Sequence, residues 1–207
     1  MHRFPRLHEA LDYAAEAHNG QLRKGTPNPY LGHLIGVCSL VLDYGGDEDQ
    51  AIAGLLHDVI EDCGLEHADR LRAAFGDRVA DIVQDCTDGA PDEAGEKAPW
   101  RERKEAYLAH LAHVGADTLL VSACDKLHNA RAIVADVRAV GPDVFSRFKA
   151  GREGTLWYYQ RLAEVFAQRL GAGHPLVLEL TASTEAMSVG RSRLQNPLAP
   201  AEEARLS

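Results

Sequence analysis

The sequence predicts an all-α fold, a bundle of about eight to ten helices. Apolar residues recur at helical spacing along almost the whole chain, and the alternating runs of Val, Ile and Thr that indicate strands are missing. Glycine- and proline-rich breaks separate the apolar segments. At 207 residues the chain can bury one sizeable core without disulfides. We therefore expect one domain over 1–189 and a flexible tail over 190–207, where the apolar period is lost.

The first three helices follow from their breaks and caps. A first helix is expected over about 5–18, and a second one ends at the glycine pair 45–46. Asp47 and Gln50 have the spacing of a capping box, in which each side chain bonds the backbone N–H of the other. This box predicts the start of a third helix, which continues to about position 63.

The later helices are predicted in the same way. Two short helices meet at Gly76 and Asp77, where a C-terminal glycine is followed directly by a capping aspartate. A polar loop then covers 89–99. Further helices are expected over 100–113, 117–138, 152–169 and 175–189.

Charge and composition exclude several classes of protein. The net charge of −9 argues against a protein that binds a nucleic-acid polymer, although a small anionic substrate fits if positive charge is local. No apolar run approaches the roughly 20 residues that span a bilayer. The N-terminus lacks a secretion signal, and the four cysteines form no C-x-x-C pair, which indicates reduced, mostly buried thiols. We expect a cytoplasmic protein, and the sequence leaves open whether it forms a homo-oligomer.

A dense group of acids and one histidine lies in the segment GLLHDVIEDCG, at 54–64. Its polar members are His57, Asp58, Glu61 and Asp62. On a continuous helix Glu61 lies one turn above His57, and Asp62 lies one turn above Asp58. All four side chains then share one face. Carboxylates at the C-terminal end of a helix are unfavourable unless a cation compensates them. The pattern therefore favours a bound metal ion.

Two further residues complete the candidate metal site. Asp125 lies inside a very hydrophobic stretch, where a carboxylate costs several kcal/mol unless it is paired or metal-bound. A buried salt bridge is the alternative for this residue. His33, just past a Pro-Tyr turn, is the remaining candidate ligand, and His18 and His128 are candidates to orient a ligand. Mixed nitrogen and oxygen donors suit Mn²⁺, Fe²⁺, Zn²⁺ or Co²⁺ better than Ca²⁺ or Mg²⁺.

Four segments of the chain resemble the HD-domain phosphohydrolases, and most closely the alarmone-hydrolase domain of the RelA/SpoT group. Together they cover most of residues 8 to 135, in the order and at about the spacing of the family. The segments are HNGQLRKGTPNPYLGH at 18–33, GLLHDVIEDCG at 54–64, FGDRVADIVQDCT at 75–87 and CDKLHNA at 124–130.

The resemblance implies an HD-type helical domain that removes pyrophosphate from the 3′ position of guanosine tetra- or pentaphosphate. It implies one divalent metal ion, Mn²⁺ in the family, with the ligands His33, His57, Asp58 and Asp125. It also implies that Glu61 and Asp62 are catalytic, because they would orient or deprotonate the attacking water.

Four residues are expected to bind the nucleotide. By resemblance, Arg23 and Lys24 contact it, and a guanidinium can grip a phosphate or stack on a base. Asn129 lies one turn after Asp125 and matches a family position near the nucleotide. Tyr159 matches a position beside the ribose or base. Without the family, the two basic residues would be read as a solvated polar loop.

Two alternatives remain open at the level of sequence. The loop between Lys24 and Pro29 is one residue longer than is usual in the family, and Leu34 stands where proline is usual. These differences border the expected pocket and leave room for an HD phosphohydrolase that acts on another nucleotide. A module that senses a nucleotide without hydrolysing it is the other alternative, which the acidic pair at 61–62 disfavours.

Overall fold

Helices make up most of the described part of the chain, which is residues 4–88 and 98–189 of a computed structural model. Within these ranges, β-type pairing is limited to one isolated antiparallel bridge between Leu22 and Pro29. The all-α prediction is confirmed, while the predicted tail at 190–207 and most of the polar loop at 89–99 lie outside the described residues. The elements are α1 (Leu7–Ala17), α2 (Leu31–Asp43), α3 (Glu48–Leu56), α4 (Val59–Cys63), α5 (His67–Phe75), α6 (Asp77–Cys86), α7 (Trp100–Leu111), α8 (Ala116–Val140), a 3₁₀ helix (Pro142–Arg147), α9 (Gly151–Leu170) and α10 (Pro175–Ser188).

Helix α8 forms the centre of the bundle because it is apolar on several sides along much of its length. It packs against α2, α3, α6 and α10, and these helices bury its residues Leu119, Val121 and Leu127 almost completely. Burial of apolar surface of this kind is the main favourable term in folding. A residue of α8 that points toward α2 and α3 therefore lies deep inside the protein.

The crossing of α2 over α3 is unusually close. A Cβ atom added to Gly54 would lie 3.3 Å from the Cα atom of Cys38, which is tighter than ordinary van der Waals contact. Glycine at this position lets the two backbones approach. The approach brings the C-terminal end of α3 next to the N-terminal half of α2.

The capping box at the start of α3 is confirmed. The Oδ1 atom of Asp47 accepts a hydrogen bond from the backbone N–H of Gln50 at 3.1 Å, and the Oε1 atom of Gln50 accepts from the backbone N–H of Asp47 at 3.0 Å. Arg78 also donates to the other carboxylate oxygen of Asp47, at 2.7 Å. These bonds fix where α3 begins.

The prediction of one continuous helix over 47–63 is wrong. Helix α3 ends at Leu56, and the chain turns at His57 and Asp58 before α4 begins. Side chains from other helices hold these two residues: the imidazole of His57 lies beside Asp125, and Tyr30 donates to Asp58. These tertiary contacts override the helical periodicity of the segment.

The predicted capping role of Asp77 is also wrong. Gly76 is itself the N-cap of α6, with φ of +89°, and no side chain caps this helix. The carboxylate of Asp77 instead accepts from Arg72 at 2.7 Å. The carboxylate of Asp77 therefore pairs with Arg72 of α5 and does not cap the backbone N–H groups at the start of α6.

Residues 142–147 form a 3₁₀ helix where the sequence predicted only a break. Gly141, with φ of +85°, ends α8, and Pro142 opens the 3₁₀ turn. Val144 and Phe145 are buried and anchor this turn against α8 and α9. Its last residue, Arg147, is thereby placed near the loop that joins α1 to α2.

The cysteine prediction is confirmed. All four cysteines are free, and Cys38, Cys86 and Cys124 are buried. Within 4–88 and 98–189, none of the helices combines the length and the apolar character that crossing a membrane requires.

Replacement of Asp47 by alanine is expected to lower the free energy of unfolding by about 1 kcal/mol, because it removes the capping acceptor of α3. The measurement is urea denaturation of both proteins. Asp47→Asn is the matched control, since asparagine keeps the capping acceptor but loses the charge that faces Arg78. Equal destabilisation by asparagine and alanine would show that the ion pair, rather than the cap, matters.

Candidate metal centre

Four donor atoms from three parts of the fold converge on one point. Helix α2 supplies His33, the turn between α3 and α4 supplies His57 and Asp58, and α8 supplies Asp125. The Nε2 atom of His33 lies 3.2 Å from Oδ1 of Asp125 and 3.6 Å from Oδ2 of Asp58. The Nε2 atom of His57 lies 3.4 Å and 3.0 Å from the same two oxygens. The fold therefore brings together all four predicted ligands.

Both Nε2 atoms are buried, and neither makes a hydrogen bond in the structure. The Nδ1 atom of His57 lies 2.9 Å from the backbone oxygen of Gly54. It must donate there, so in the neutral ring the lone pair is on Nε2. Ligand atoms of His33, His57 and Asp58 all lie within 4.8 Å of one another. Unpartnered buried nitrogens that face carboxylate oxygens fit a divalent cation with mixed nitrogen and oxygen ligands.

His128 holds the imidazole of His33 in place. Its Nδ1 atom lies 2.9 Å from Nδ1 of His33. Burial, together with the neighbouring His33 and Arg23, lowers the pKa of His128 to about 4, so its ring is neutral and can accept the proton of His33. The Nε2 atom of His33 then keeps its lone pair for a ligand bond. The predicted orienting role of His128 agrees with this geometry.

Electrostatics at the centre call for a positive charge. Burial favours the neutral form of His57, but the carboxylates of Asp58 and Asp125 outweigh it and raise the pKa of the imidazole well above its usual value. Burial likewise disfavours the two carboxylates, yet their partners lower the pKa of each well below its usual value: His57 does so first for Asp58, and Lys126 and then His57 do so for Asp125. A proton on His57 can supply the positive charge, and a metal ion can replace that proton.

Both carboxylate oxygens of Asp125 accept hydrogen bonds from neighbours on its own helix. Lys126 donates to Oδ2 at 2.6 Å, and Asn129 donates to Oδ1 at 2.6 Å. The salt bridge that the sequence offered as an alternative to metal binding is thus present on one oxygen only. The other oxygen, Oδ1, faces the two histidines.

The predicted catalytic pair lies in the first turn of α4. Asp62 is exposed and accepts from the Nε2 atom of Gln21 at 2.8 Å, while Glu61 accepts from the backbone N–H of Asp88 at 3.3 Å. Partial burial, and then the charge of Asp58, raises the pKa of Asp62. A carboxylate with a raised pKa is better suited to accept a proton near neutral pH.

Tyr30 is a contact that sequence reasoning missed. Its hydroxyl donates to Oδ2 of Asp58 at 2.5 Å, and its ring packs between His18 and His33, with centroids 5.4 Å and 5.3 Å away. The signal was available, because the Pro-Tyr turn stands directly before the first ligand. Gln21 was missed in the same motif; it joins His18 to Asp62 through its side-chain amide.

A second missed cluster lies on the far side of the catalytic pair. Asp88 is buried and forms an ion pair with Lys104, and its backbone carbonyl accepts from Arg103 at 2.8 Å. Burial, and then the nearby charge of Lys126, lowers the pKa of Lys104 to about 8. No local sequence pattern links these residues, since Asp88 follows α6 and its partners lie on α7, and they meet only in the folded chain.

A cavity of about 220 Å³ adjoins the metal centre and contains all four predicted nucleotide contacts. Arg23 donates to the amide oxygen of Asn129 at 2.9 Å, and its Nη1 atom is buried without a partner in the structure. Because Asn129 also bonds Asp125, a ligand in this cavity lies one side chain away from the metal ligands. The lining includes Arg23, Lys24, Tyr30, Asn129 and Tyr159.

Comparison with known proteins decides the family. Residues 10–156 match the model of the HD domain. The chain belongs to the HD-domain family. The match spans every element that carries a predicted ligand, from α2 to α8.

The similar proteins include members of the (p)ppGpp hydrolase group. The chain is 32% identical over 160 residues to the guanosine-3′,5′-bis(diphosphate) 3′-pyrophosphohydrolase MESH1 of Xenopus tropicalis, covering 76% of this chain and 80% of that protein. It is 30% identical over 175 residues to the bifunctional (p)ppGpp synthase/hydrolase SpoT of Escherichia coli. That match covers 82% of this chain but 22% of SpoT.

Two solved structures have the same fold. One is a metazoan orthologue of SpoT that hydrolyses ppGpp, with a TM-score of 0.72 and 26% identity over 89% of this chain and 97% of that one. The other is lmo0812 of Listeria monocytogenes, with a TM-score of 0.64 and 26% identity over 74% of this chain and 96% of that one.

Replacement of Gly36 by alanine is expected to weaken metal binding by about 10- to 100-fold, the range found when an orienting partner of a metal-bound histidine is lost. A Cβ atom at this position would lie 2.2 Å from Nε2 of His128, so the ring must leave His33. The measurement is a calorimetric titration of metal-free protein with Mn²⁺.

Gly32→Ala on the same helix is the matched control for this test, because nothing lies within 4 Å of a Cβ atom there. It should bind Mn²⁺ as the parent protein does. Unchanged affinity in Gly36→Ala would contradict the orienting role of His128.

Proposed function

We propose that this HD domain is a metal-dependent hydrolase that removes pyrophosphate from the 3′ position of guanosine tetra- or pentaphosphate. The observation that carries the proposal is the position of a cationic cavity beside four convergent donor atoms. Arg23 and Lys24 place positive charge at this cavity in a chain whose net charge is −9. A nucleotide with a second phosphate chain can fill the cavity while that chain reaches the metal centre. The names of MESH1 and SpoT, both matched over most of this chain, support the same substrate.

The proposed cofactor is one divalent ion held by four residues of the centre. Mn²⁺ is proposed because the ligand set mixes imidazole and carboxylate and because the resemblance to the RelA/SpoT group implies this metal. When bound, such an ion lowers the pKa of a coordinated water and offsets charge on phosphoryl oxygens. The proposed ligands are His33, His57, Asp58 and Asp125.

The proposed reaction is a hydrolysis in which water attacks the phosphorus bonded to the 3′ oxygen of the ribose. The bond between this phosphorus and the 3′ oxygen breaks, pyrophosphate leaves, and the 3′ oxygen takes up a proton. Asp62, with its raised pKa, accepts a proton from the attacking water. Glu61, fixed by the N–H of Asp88, orients that water.

The nucleotide is proposed to lie along the cavity. The unpartnered Nη1 atom of Arg23 is available for a phosphate oxygen or a base, and the exposed Lys24 adds charge at the entrance. The amide of Asn129 lies between Arg23 and Asp125 and so contacts the sugar. The ring of Tyr159 lines the apolar wall. The cytoplasmic location stays a prediction of the sequence.

The test is incubation of the purified protein with guanosine tetraphosphate and Mn²⁺, with release of pyrophosphate followed by anion-exchange chromatography. The double variant Glu61→Gln, Asp62→Asn is run beside it. Rapid release by the parent protein and a loss of at least about 100-fold in the variant are expected, because general acid–base groups contribute this much or more.

Other outcomes separate the alternatives. Release that is equally fast in the double variant would refute the catalytic roles of the pair. If the parent protein, with its metal confirmed present, releases nothing, the alarmone substrate is wrong, and a panel of other nucleotides follows. Recovery of bound nucleotide unchanged after long incubation would instead indicate a sensing module.

A further inference from the structure

The cavity beside the metal centre ends in an ion pair that the catalytic chemistry does not use. Asp136 of α8 and Arg147 of the 3₁₀ helix both line it, and the Nη1 atom of Arg147 lies 3.0 Å from Oδ2 of Asp136. The side chains are 41% and 27% exposed, and ion pairs with this degree of exposure add little to stability. Stability therefore does not account for a charge pair at this place.

One face of α8 leads from the metal centre to this pair. Asn129, Ala132, Ile133 and Asp136 follow Asp125 at positions four, seven, eight and eleven, which share one side of a helix. At a rise of 1.5 Å per residue, the two aspartates are about 16 Å apart along the helix. All four residues after Asp125 line the cavity.

Along this face the side chains change from polar to apolar to charged. This order matches the sugar, the flat surface of the base and the polar edge of the base in a nucleoside. The amide of Asn129 is nearest the metal ligands, and the side chains of Ala132 and Ile133 come next. Phe148 and Tyr159 also line this apolar section. A flat aromatic base fits between such groups, whereas a ribose or a phosphate does not. The far edge of the base then points toward the charge pair.

We propose that Asp136 recognises the guanine base by accepting hydrogen bonds from its N1–H and N2–H groups, and that Arg147 positions the carboxylate for this contact. The inference rests on the proposed function and adds a residue that determines base specificity. Guanine presents two adjacent donors to a carboxylate. Adenine presents a ring nitrogen lone pair on the same edge, which a carboxylate repels. Hypoxanthine keeps N1–H but lacks the amino group.

Arg147 is well placed for a positioning role. It bonds one oxygen of Asp136, and its aliphatic part packs on the loop that carries Arg23 and Lys24. A Cβ atom at Gly25, whose φ is +72°, would lie 2.7 Å from Cδ of Arg147, so only glycine allows this contact. The arginine is thus fixed between the 3₁₀ helix and the loop, and it holds the carboxylate toward the cavity.

The experiment compares the 3′,5′-bisdiphosphates of guanosine, inosine and adenosine as substrates, with Mn²⁺ present. The parent protein should prefer guanosine over the other two by about 10-fold or more in kcat/KM, because a site that accepts hydrogen bonds from substrate N–H groups rejects analogues that lack those groups. In Asp136→Asn the ratio of guanosine to adenosine should fall to within about threefold, since an amide can also pair with adenine. Asp143 is an exposed acid on the 3₁₀ helix that carries Arg147. The control variant Asp143→Asn should keep the parent ratio.

Arg147→Met tests the positioning role. It should raise KM for the guanosine substrate and leave kcat and metal content near those of the parent protein, because the residue is remote from the reacting atoms. A fall in kcat with unchanged KM would overturn this role. Equal losses for all three bases in Asp136→Asn, or an unchanged ratio, would overturn base recognition by the carboxylate.

A binding measurement keeps this inference separate from the proposed function. The same three nucleotides are titrated by calorimetry into the Glu61→Gln, Asp62→Asn protein, with and without Asp136→Asn. Selective binding of guanosine that is lost in the Asp136 variant supports the inference even if the parent protein hydrolyses none of the three. Binding that does not distinguish the bases refutes it, whether or not guanosine tetraphosphate is hydrolysed.

Discussion

The arrangement of the whole domain depends on two buried imidazole nitrogens that face two carboxylate oxygens. Burial of charged and unpartnered polar groups is costly, and these atoms have little access to solvent. A cation between them would offset the cost. The three helical regions that supply these groups must then be placed accurately relative to one another. Close packing at Gly54 and Gly36 allows this placement.

Neighbouring groups orient each of the four side chains of the centre through hydrogen bonds. His57 is held by a backbone carbonyl and His33 by a neutral imidazole, so both rings point the same nitrogen inward. Tyr30 donates to Asp58, and Lys126 neutralises the outer oxygen of Asp125. Second partners of this kind fix the orientation of ligands and adjust their basicity. The proposed catalytic pair at 61–62 lies outside this arrangement, and Asp62 is exposed to the solvent that would supply the attacking water.

The sequence predicted what is local and periodic. The capping box at Asp47, the long α8 and the breaks at its end all appear in the structure because short-range hydrogen bonds and apolar spacing determine them. The four proposed ligands were predicted from the cost of a carboxylate within an apolar stretch and from the H…HD…D pattern. Their convergence, however, required the fold.

The failures have a common physical cause, which is competition from distant side chains. The turn at His57 interrupts a helix that periodicity alone would continue, because partners on α2 and α8 hold the turn. Asp77 leaves its expected cap for Arg72. Asp136 and Arg147 lie eleven residues apart and meet only because a 3₁₀ turn folds back toward α8. Nothing in the spacing of either residue signals that contact.

An anomalous-difference map from crystals of the Mn²⁺-loaded protein would test the central claim most directly. The account predicts one strong peak within bonding distance of Nε2 of His33, Nε2 of His57 and one carboxylate oxygen each of Asp58 and Asp125. A peak at another place, or no peak at this one under saturating Mn²⁺, would contradict it.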